Sequence, residues 1–395
     1  MVEEFRNKTA IVGVGMSQIG RSLPYGAGAM AVDAVRAAVE DAGLKMSDID
    51  GLTTYAGGYE LGHQAERDGM DKASIDYMIG ALGIDSLEWF SETKGGGPAL
   101  APLSAALYAV YAGQAKYVVV YRAFYRPKGR QFGIRKDQEA HGVDQFLLPY
   151  GYGNMLQFGS AMFNRFMYST GVTKEHLGEY VLHCHRQALL NEHTYLKNEL
   201  SMDEYLNAPY YVDPLSKLDC DIPLDGAMAM VVTTADRAKD LKHKPVYVSG
   251  VKNALGPNAS WSFFSAPEHT QFGSYYAGKD IWKRAGFTKN ELGFVQLYDG
   301  FSVFPFIWAT HLELCKPTEV GDYIAEASRK GKEAEIPITT MGGALCEGRF
   351  HGMGHILESV WQLQGRAEQR QLSNVETGIV AVGGFNSCGV IALQS

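Results

Sequence analysis

The sequence predicts an α/β fold built from two duplicated βαβ-rich halves, and three observations carry that expectation. Short β-branched runs alternate with stretches of helical period. An apolar pattern around residue 42 returns at one fixed spacing of 243 residues. Each half then continues with a glycine-rich loop, an apolar helix and a strand. Alternation of this kind gives mostly parallel sheets with helices on their faces.

Taken in order, Thr9–Gly15 reads as a buried strand ending in glycine. Ala29–Gly43 places Ala31, Val32, Val35, Val39 and Ala42 on one helical stripe, and Gly43 is a natural stop. A strand at Leu52–Tyr55 follows. The second half repeats this with a strand at Pro245–Val251, a helix that ends over Asp280–Gly286 and a strand Val295–Tyr298. Ala42, Gly43, Leu44, Ile49, Leu52 and Tyr55 match Ala285, Gly286, Phe287, Leu292, Val295 and Tyr298 at the constant spacing.

The third element of each half is also present. Gly95, Gly96 and Gly97 open the helix PALAPLSAALYAVYAG, followed by a strand at Tyr117–Tyr121. Gly342 and Gly343 precede GRFHGMGHILESVWQLQG, read as loop and then helix, followed by a strand at Gly378–Val382. The first of these helices is apolar nearly all round, which calls for burial between layers. Residues 124–224 do not repeat, hold a helix at Lys174–Asn191, and read as an insertion over the sheet. The expected units are therefore 1–243, including that insertion, and 244–395.

Composition narrows the function. With 395 residues, 46% of them apolar and 20% charged, the chain has ample core and is not disordered. A formal charge of −8 and the lack of any basic stretch argue against a nucleic-acid partner. Five scattered cysteines without a CxxC indicate neither a disulfide framework nor a zinc knuckle. His183-Cys184-His185 looks metal-like, but adjacent helical residues point to different faces, so no metal is expected. The opening MVEEFRNKTAIVGVG lacks a signal-peptide pattern, and no apolar run reaches the roughly 20 residues of a membrane span. A cytoplasmic enzyme is expected.

Two βαβ-rich halves around a large insertion resemble the thiolase superfamily. DGAMAMVVTTADRA at 225–238, Gly342-Gly343-Ala344 and Gly383-Gly384 are similar to that family's segments, in its order, over essentially the whole chain. The resemblance implies a thiolase fold with αβαβα layers. It also exposes losses. The family's nucleophilic cysteine falls at Gly96, its GHP histidine at Arg349, its second cysteine near Ala381, and its NEAF asparagine at Tyr298. Without a thiol at these points, thiolytic acyl transfer has no covalent carrier.

One subgroup shares these losses: the lipid-transfer-protein-like, sterol-carrier-type homologues that act as aldolases in steroid side-chain degradation. The similarity rests on GGG at 95–97, VVVYRAF at 118–124, LDC at 218–220, YD-x-F at 298–301 and HGM at 351–353. The resemblance implies retro-aldol cleavage of a tertiary β-hydroxy acyl-CoA, giving a ketone and a short acyl-CoA such as propionyl-CoA. Such a reaction needs a base, donors at the thioester oxygen and an acid for the enolate carbon. It needs no metal or other cofactor on this chain, coenzyme A arriving as part of the substrate. The subgroup uses two tyrosines; the first is present as Tyr298, and Arg349 stands in place of the second.

Tyr298 is the leading candidate for the proton relay, with an ordinary pKa near ~10 that a cationic neighbour such as Arg349 would adjust. The alternative is a ring that merely ends a buried strand. His351, titrating near neutrality, is a candidate to replace the missing tyrosine, and His355 follows on the same loop–helix junction. Asp299 either orients Tyr298 or Arg349 or caps a helix starting at Ser302. Gly95, Gly96, Gly97, Gly343, Gly383 and Gly384 are candidates to bind the thioester through backbone N–H groups. Cys346 reads as a packed core thiol.

A second function class stays open, a non-catalytic thiolase-like subunit that binds acyl-CoA or lipid within a degradation complex. The resemblance further implies a homodimer core and a small OB-fold and zinc-ribbon partner subunit, giving an α2β2 assembly with the zinc on the partner.

Overall fold

The computed structural model describes residues 2–55, 73–93, 99–125, 145–152, 155–257, 268–385 and 387–395. The expected candidates Gly95, Gly96 and Gly97 lie outside the described residues. The first half runs β1 (Thr9–Met16), α1 (Ala27–Asp41), β2 (Gly51–Thr54), α2 (Ile75–Leu82), β3 (Trp89–Glu92), α3 (Leu100–Tyr111) and β4 (Val118–Phe124). Helices α4 (Met155–Thr170) and α5 (Lys174–Leu189) come next, and β5 (Gly226–Thr234) closes this part. The second half runs β6 (Val246–Leu255), α6 (Gly273–Ala285), β7 (Phe294–Leu297), α7 (Phe304–His311) and α8 (Val320–Lys330). It ends with α9 (Gly343–Glu347), α10 (Met353–Gln364), β8 (Thr377–Gly383) and β9 (Ser387–Gln394).

The strands form a nine-stranded sheet in the order β3-β2-β4-β5-β1-β6-β9-β8-β7. β2 pairs in parallel with β3 and β4, and β7 pairs in parallel with β8, as crossover connections through helices require. The two halves join where β1 meets β6 antiparallel, through Ala10–Tyr247 and Ile11–Val246. The duplication is visible down to single turns. Strands Gly51–Thr54 and Phe294–Leu297, and the 3₁₀ turns Met46–Asp48 and Lys289–Glu291, recur at the 243-residue spacing. Both first helices end against a left-handed glycine, Gly43 at φ +75° and Gly286 at φ +74°.

Three packed clusters account for the layers. α1 and α2 cover one face of the first half through Ala31, Val35, Val39 and Met78. α5, α6, α7 and α8 cover the outer face of the second half through Tyr180, Ile281, Trp308 and Ile324. Between the two parts of the sheet lie α3 and α10, sharing a cluster with strands of both halves. Leu100, Leu103 and Leu107 of α3 are buried there, each worth roughly 1.5–3 kcal/mol relative to exposure. Helix α5, from the non-repeating segment, belongs to the core of the second half and has no separate core.

The loop–helix junction expected around His351 lies between two helices, with α9 ending at Glu347 and α10 starting at Met353. Gly348 at φ +124°, His351 at φ +50° and Gly352 at φ +87° turn the chain between them. A Cβ at Gly348 would lie 2.6 Å from Leu224 Cδ1, so glycine is required by space as well as by φ. This turn carries Arg349 and His351.

Candidate active site

Four elements deliver the site: the end of β7, the turn between α9 and α10, the end of β4, and the segment before β5. Tyr298 follows β7 directly, and its N–H donates to Ala381 O on the neighbouring β8 at 3.0 Å. Its buried ring stacks on Phe304 at 6.0 Å between centroids and lies 5.8 Å from the ring of His355. The hydroxyl folds back over Gly300, where a Cβ would stand 2.6 Å from it. Burial pushes the phenol well above its ordinary pKa, and the charges of Asp221, Asp299 and Tyr55 add to that rise. Arg349 opposes the rise without reversing it. At neutral pH Tyr298 is a held proton donor.

Arg349 is buried and points at Asp221, a residue that the sequence did not single out. Its Nε donates to Asp221 Oδ1 at 2.7 Å, and its Nη2 donates to the same oxygen. The backbone places both partners, since Arg349 N–H donates to Ile222 O at 2.8 Å and Asp221 N–H donates to Gly300 O at 3.2 Å. Burial raises the Asp221 carboxyl above the usual carboxylate range, and the guanidinium pulls part of that back. Tyr298, Arg349 and Asp221 thus form one electrostatic unit. LDC at 218–220 ends one residue before Asp221, the nearest sequence signal to it.

Asp299 orients neither Tyr298 nor Arg349. It is fully buried, and its Oδ1 accepts from Ala344 N–H at 2.7 Å and lies 3.1 Å from His355 Nε2. Cys184 Sγ donates to Oδ2 at 3.7 Å. The helix it was expected to cap starts at Phe304, and the neighbouring Ser302 bonds Asp219. Asp299 instead serves the start of α9, and Gly343 is glycine for that reason. A Cβ there would stand 1.9 Å from Asp299 Oδ2, at a φ of +66°.

Gly383 and Gly384 form a tight turn whose carbonyls accept from Trp308 Nε1 at 2.7 Å and Ser274 Oγ at 3.1 Å. The ring of His351 lies edge-on to Phe124 at 4.9 Å and to Tyr55 at 6.0 Å. Tyr55 and Tyr298 are the duplicated residues of the two halves, and their charges act on each other. His183 and His185 bond main-chain carbonyls, Ile338 O at 2.8 Å and Asn198 O at 2.9 Å. All five thiols, Cys184, Cys220, Cys315, Cys346 and Cys388, are pushed above their ordinary pKa chiefly by burial. A protonated thiol is a poor nucleophile, so acyl transfer onto sulfur is disfavoured at each.

Comparison with known proteins agrees with this chemistry. Residues 258–394 match the family model described as thiolase C-terminal domain-like. The 17-hydroxy-3-oxo-4-pregnene-20-carboxyl-CoA lyase of Mycobacterium tuberculosis is 31% identical, covering 97% of this chain and 98% of its own. The chain belongs to the thiolase superfamily, in its sterol-carrier-type aldolase branch. A steroid side-chain-cleaving aldolase of Thermomonospora curvata is 29% identical over 97% of both chains. Among solved structures, the Ltp2-ChsH2(DUF35) aldolase superposes with a TM-score of 0.87 at 28% identity, covering 99% of this chain and 98% of that one. Human mitochondrial 3-ketoacyl-CoA thiolase shares the fold, with a TM-score of 0.68 at 12% identity. Within this branch the chain is a carbon–carbon lyase on a thiolase-like fold. No helix among the described residues is long and apolar enough to cross a membrane.

Beside the site, Glu347 at the end of α9 is buried against Gly354, and burial together with Glu358 raises its pKa to about 8. A raised folded-state value means that stability is full below the ordinary carboxyl range and is lost as pH climbs towards 8. Glu347→Gln removes that loss. Its melting temperature relative to the parent is expected to rise between pH 5 and pH 8.5 by about 1 °C per kcal/mol recovered. A difference that stays flat with pH, read by thermal unfolding across that range, would refute the assignment.

Proposed function

We propose that this enzyme cleaves a tertiary β-hydroxy acyl-CoA by a retro-aldol reaction, with a steroid side-chain CoA thioester as substrate. The observation that carries the reading is the buried Tyr298–Asp221–Arg349 unit in a molecule whose five thiols are all disfavoured as nucleophiles. Tyr298 and Arg349 stand where the resemblance puts the superfamily's asparagine and histidine, so proton-handling groups remain while the sulfur is gone. The names of the relatives, a hydroxy-steroid carboxyl-CoA lyase and a side-chain-cleaving aldolase, support the substrate class.

The geometry supports the following sequence. Asp221, raised by burial and accepting from Arg349 at Oδ1, takes the proton of the substrate hydroxyl. The oxygen lone pair forms the ketone C=O while the Cα–Cβ bond breaks and its electrons pass to the thioester as an enolate. Tyr298 gives its proton to Cα, completing the short acyl-CoA. Asp221 returns the captured proton to the Tyr298 oxygen, so acid and base are both restored. Arg349 limits the rise of the Asp221 carboxyl and keeps it ionised enough to act.

The likeness to the Ltp2-ChsH2(DUF35) aldolase over the whole chain supports a DUF35 partner for this protein. The resemblance adds a small OB-fold and zinc-ribbon form for that subunit, around a homodimer of this chain, as α2β2. The test is direct. The chain with such a partner, given a tertiary β-hydroxy steroid acyl-CoA, is expected to release ketone and propionyl-CoA in equal amounts. Tight acyl-CoA binding with no cleavage would favour the non-catalytic subunit instead.

A further inference from the structure

Arg122, on β4, takes no part in the unit just described. Its guanidinium carbon lies 5.0 Å from the ring centre of Tyr55 and 4.7 Å from that of Phe124. Its Nη1 donates to Tyr55 O, whereas its Nε is buried with no hydrogen-bond partner among the described residues. Among the described residues no carboxylate pairs with it. Burial draws its pKa down to about 10, which leaves it charged at neutral pH. The other buried guanidiniums of the centre are neutralised, Arg349 by Asp221 and Arg370 by Glu358 at 3.0 Å. A desolvated cation without a counter-charge is costly unless an anion arrives.

Its surroundings say where that anion belongs. The rings of Tyr55 and Phe124 that flank Arg122 also carry His351. Phe124 continues to Phe350 at 5.7 Å, next in sequence to Arg349. Tyr55 in turn lies within electrostatic reach of Tyr298. Arg122 therefore borders the proton-transfer unit from the β4 side.

We propose that Arg122 is the oxyanion-binding residue of this site, receiving the thioester oxygen of the acyl-CoA and the enolate oxygen that it becomes. This rests on the retro-aldol reading above. When the Cα–Cβ bond breaks, its electron pair reaches that oxygen, and the negative charge appears opposite a half-buried guanidinium whose Nε is already out of water. The two aromatic faces hold the cation in place before the charge develops, so little reorganisation is needed. The proton later added at Cα discharges the oxygen and releases the product.

The test uses two reactions of the chain with its partner subunit. One is cleavage of the β-hydroxy acyl-CoA; the other is exchange of the α-protons of propionyl-CoA in D₂O, which needs enolate support and no C–C scission. Arg122→Gln is expected to lower kcat and the exchange rate together by about 10²–10³-fold, with KM changed less than about threefold. Arg122→Lys, which keeps the charge, is expected to stand about tenfold above Arg122→Gln, with unchanged melting temperatures confirming the fold. Cleavage and exchange both within threefold of the parent, or a change in KM alone, overturn the assignment while leaving retro-aldol cleavage standing. A parent that cleaves nothing overturns the retro-aldol reading, and the exchange assay then still decides whether Arg122 supports an enolate.

Discussion

Tyr298→Phe is expected to lower kcat for carbon–carbon cleavage by about 10³-fold with KM within threefold of the parent. The substitution removes one oxygen and leaves the ring stacked on Phe304. Binding of the acyl-CoA therefore persists while the acid for the enolate carbon is gone. The phenol is held protonated by burial and by the Asp221 and Asp299 charges, so its loss is the loss of a donor. Two further readings separate this from a packing effect. Stability stays near that of the parent, because the raised pKa shows the folded site never gained from phenolate. The enolate formed without an acid also partitions back, so hydroxyl-bearing substrate recovered from D₂O carries less solvent deuterium than the parent gives. A variant that keeps parental kcat would remove Tyr298 from the chemistry and leave it as a buried ring.

The positions that sequence reasoning reached are those that the duplication or a linear motif marks. Tyr298 was reached through the YD-x-F segment at 298–301, and Arg349 through the resemblance, as the residue standing where the subgroup has its second tyrosine. Helices α1 and α6, strands β2 and β7, and the buried α3 were legible because local apolar period and glycine stops agree with tertiary burial. What was not legible depends on distance along the chain. Asp221 sits 128 residues before the arginine it neutralises, within the non-repeating segment. Only the general need of a buried guanidinium for a counter-charge could have called for it, and that need names no position. For Asp299 the sequence offers Tyr298, Arg349 or the helix that follows, but the N–H it accepts from is 45 residues away, at α9.

Whether Arg349 is a reassigned working group or a relic is decided by what happens to Asp221 without it. Arg349→Met is expected to cost about 3–5 kcal/mol of stability, because a buried carboxylate loses both of its guanidinium donors. The direction with pH follows from the carboxyl. Burial already raises it, and removing the opposing cation raises it further. The variant's deficit is then smallest below the ordinary carboxyl range, where Asp221 is neutral in both states, and grows as pH rises. The same shift moves the acid limb of the kcat profile upward, since Asp221 must be ionised to take the hydroxyl proton. At pH 7 the expected loss in kcat is about 10²-fold, partly regained at higher pH. Asp221→Asn removes that limb altogether and is not rescued by pH. The double variant Asp221→Asn/Arg349→Met relieves the uncompensated charge, so it recovers stability relative to Arg349→Met yet stays inactive. A counter-ion with no part in the chemistry predicts the opposite pairing, stability and activity returning together. Thermal unfolding and kcat measured from pH 5 to pH 9 on the three variants separate the two.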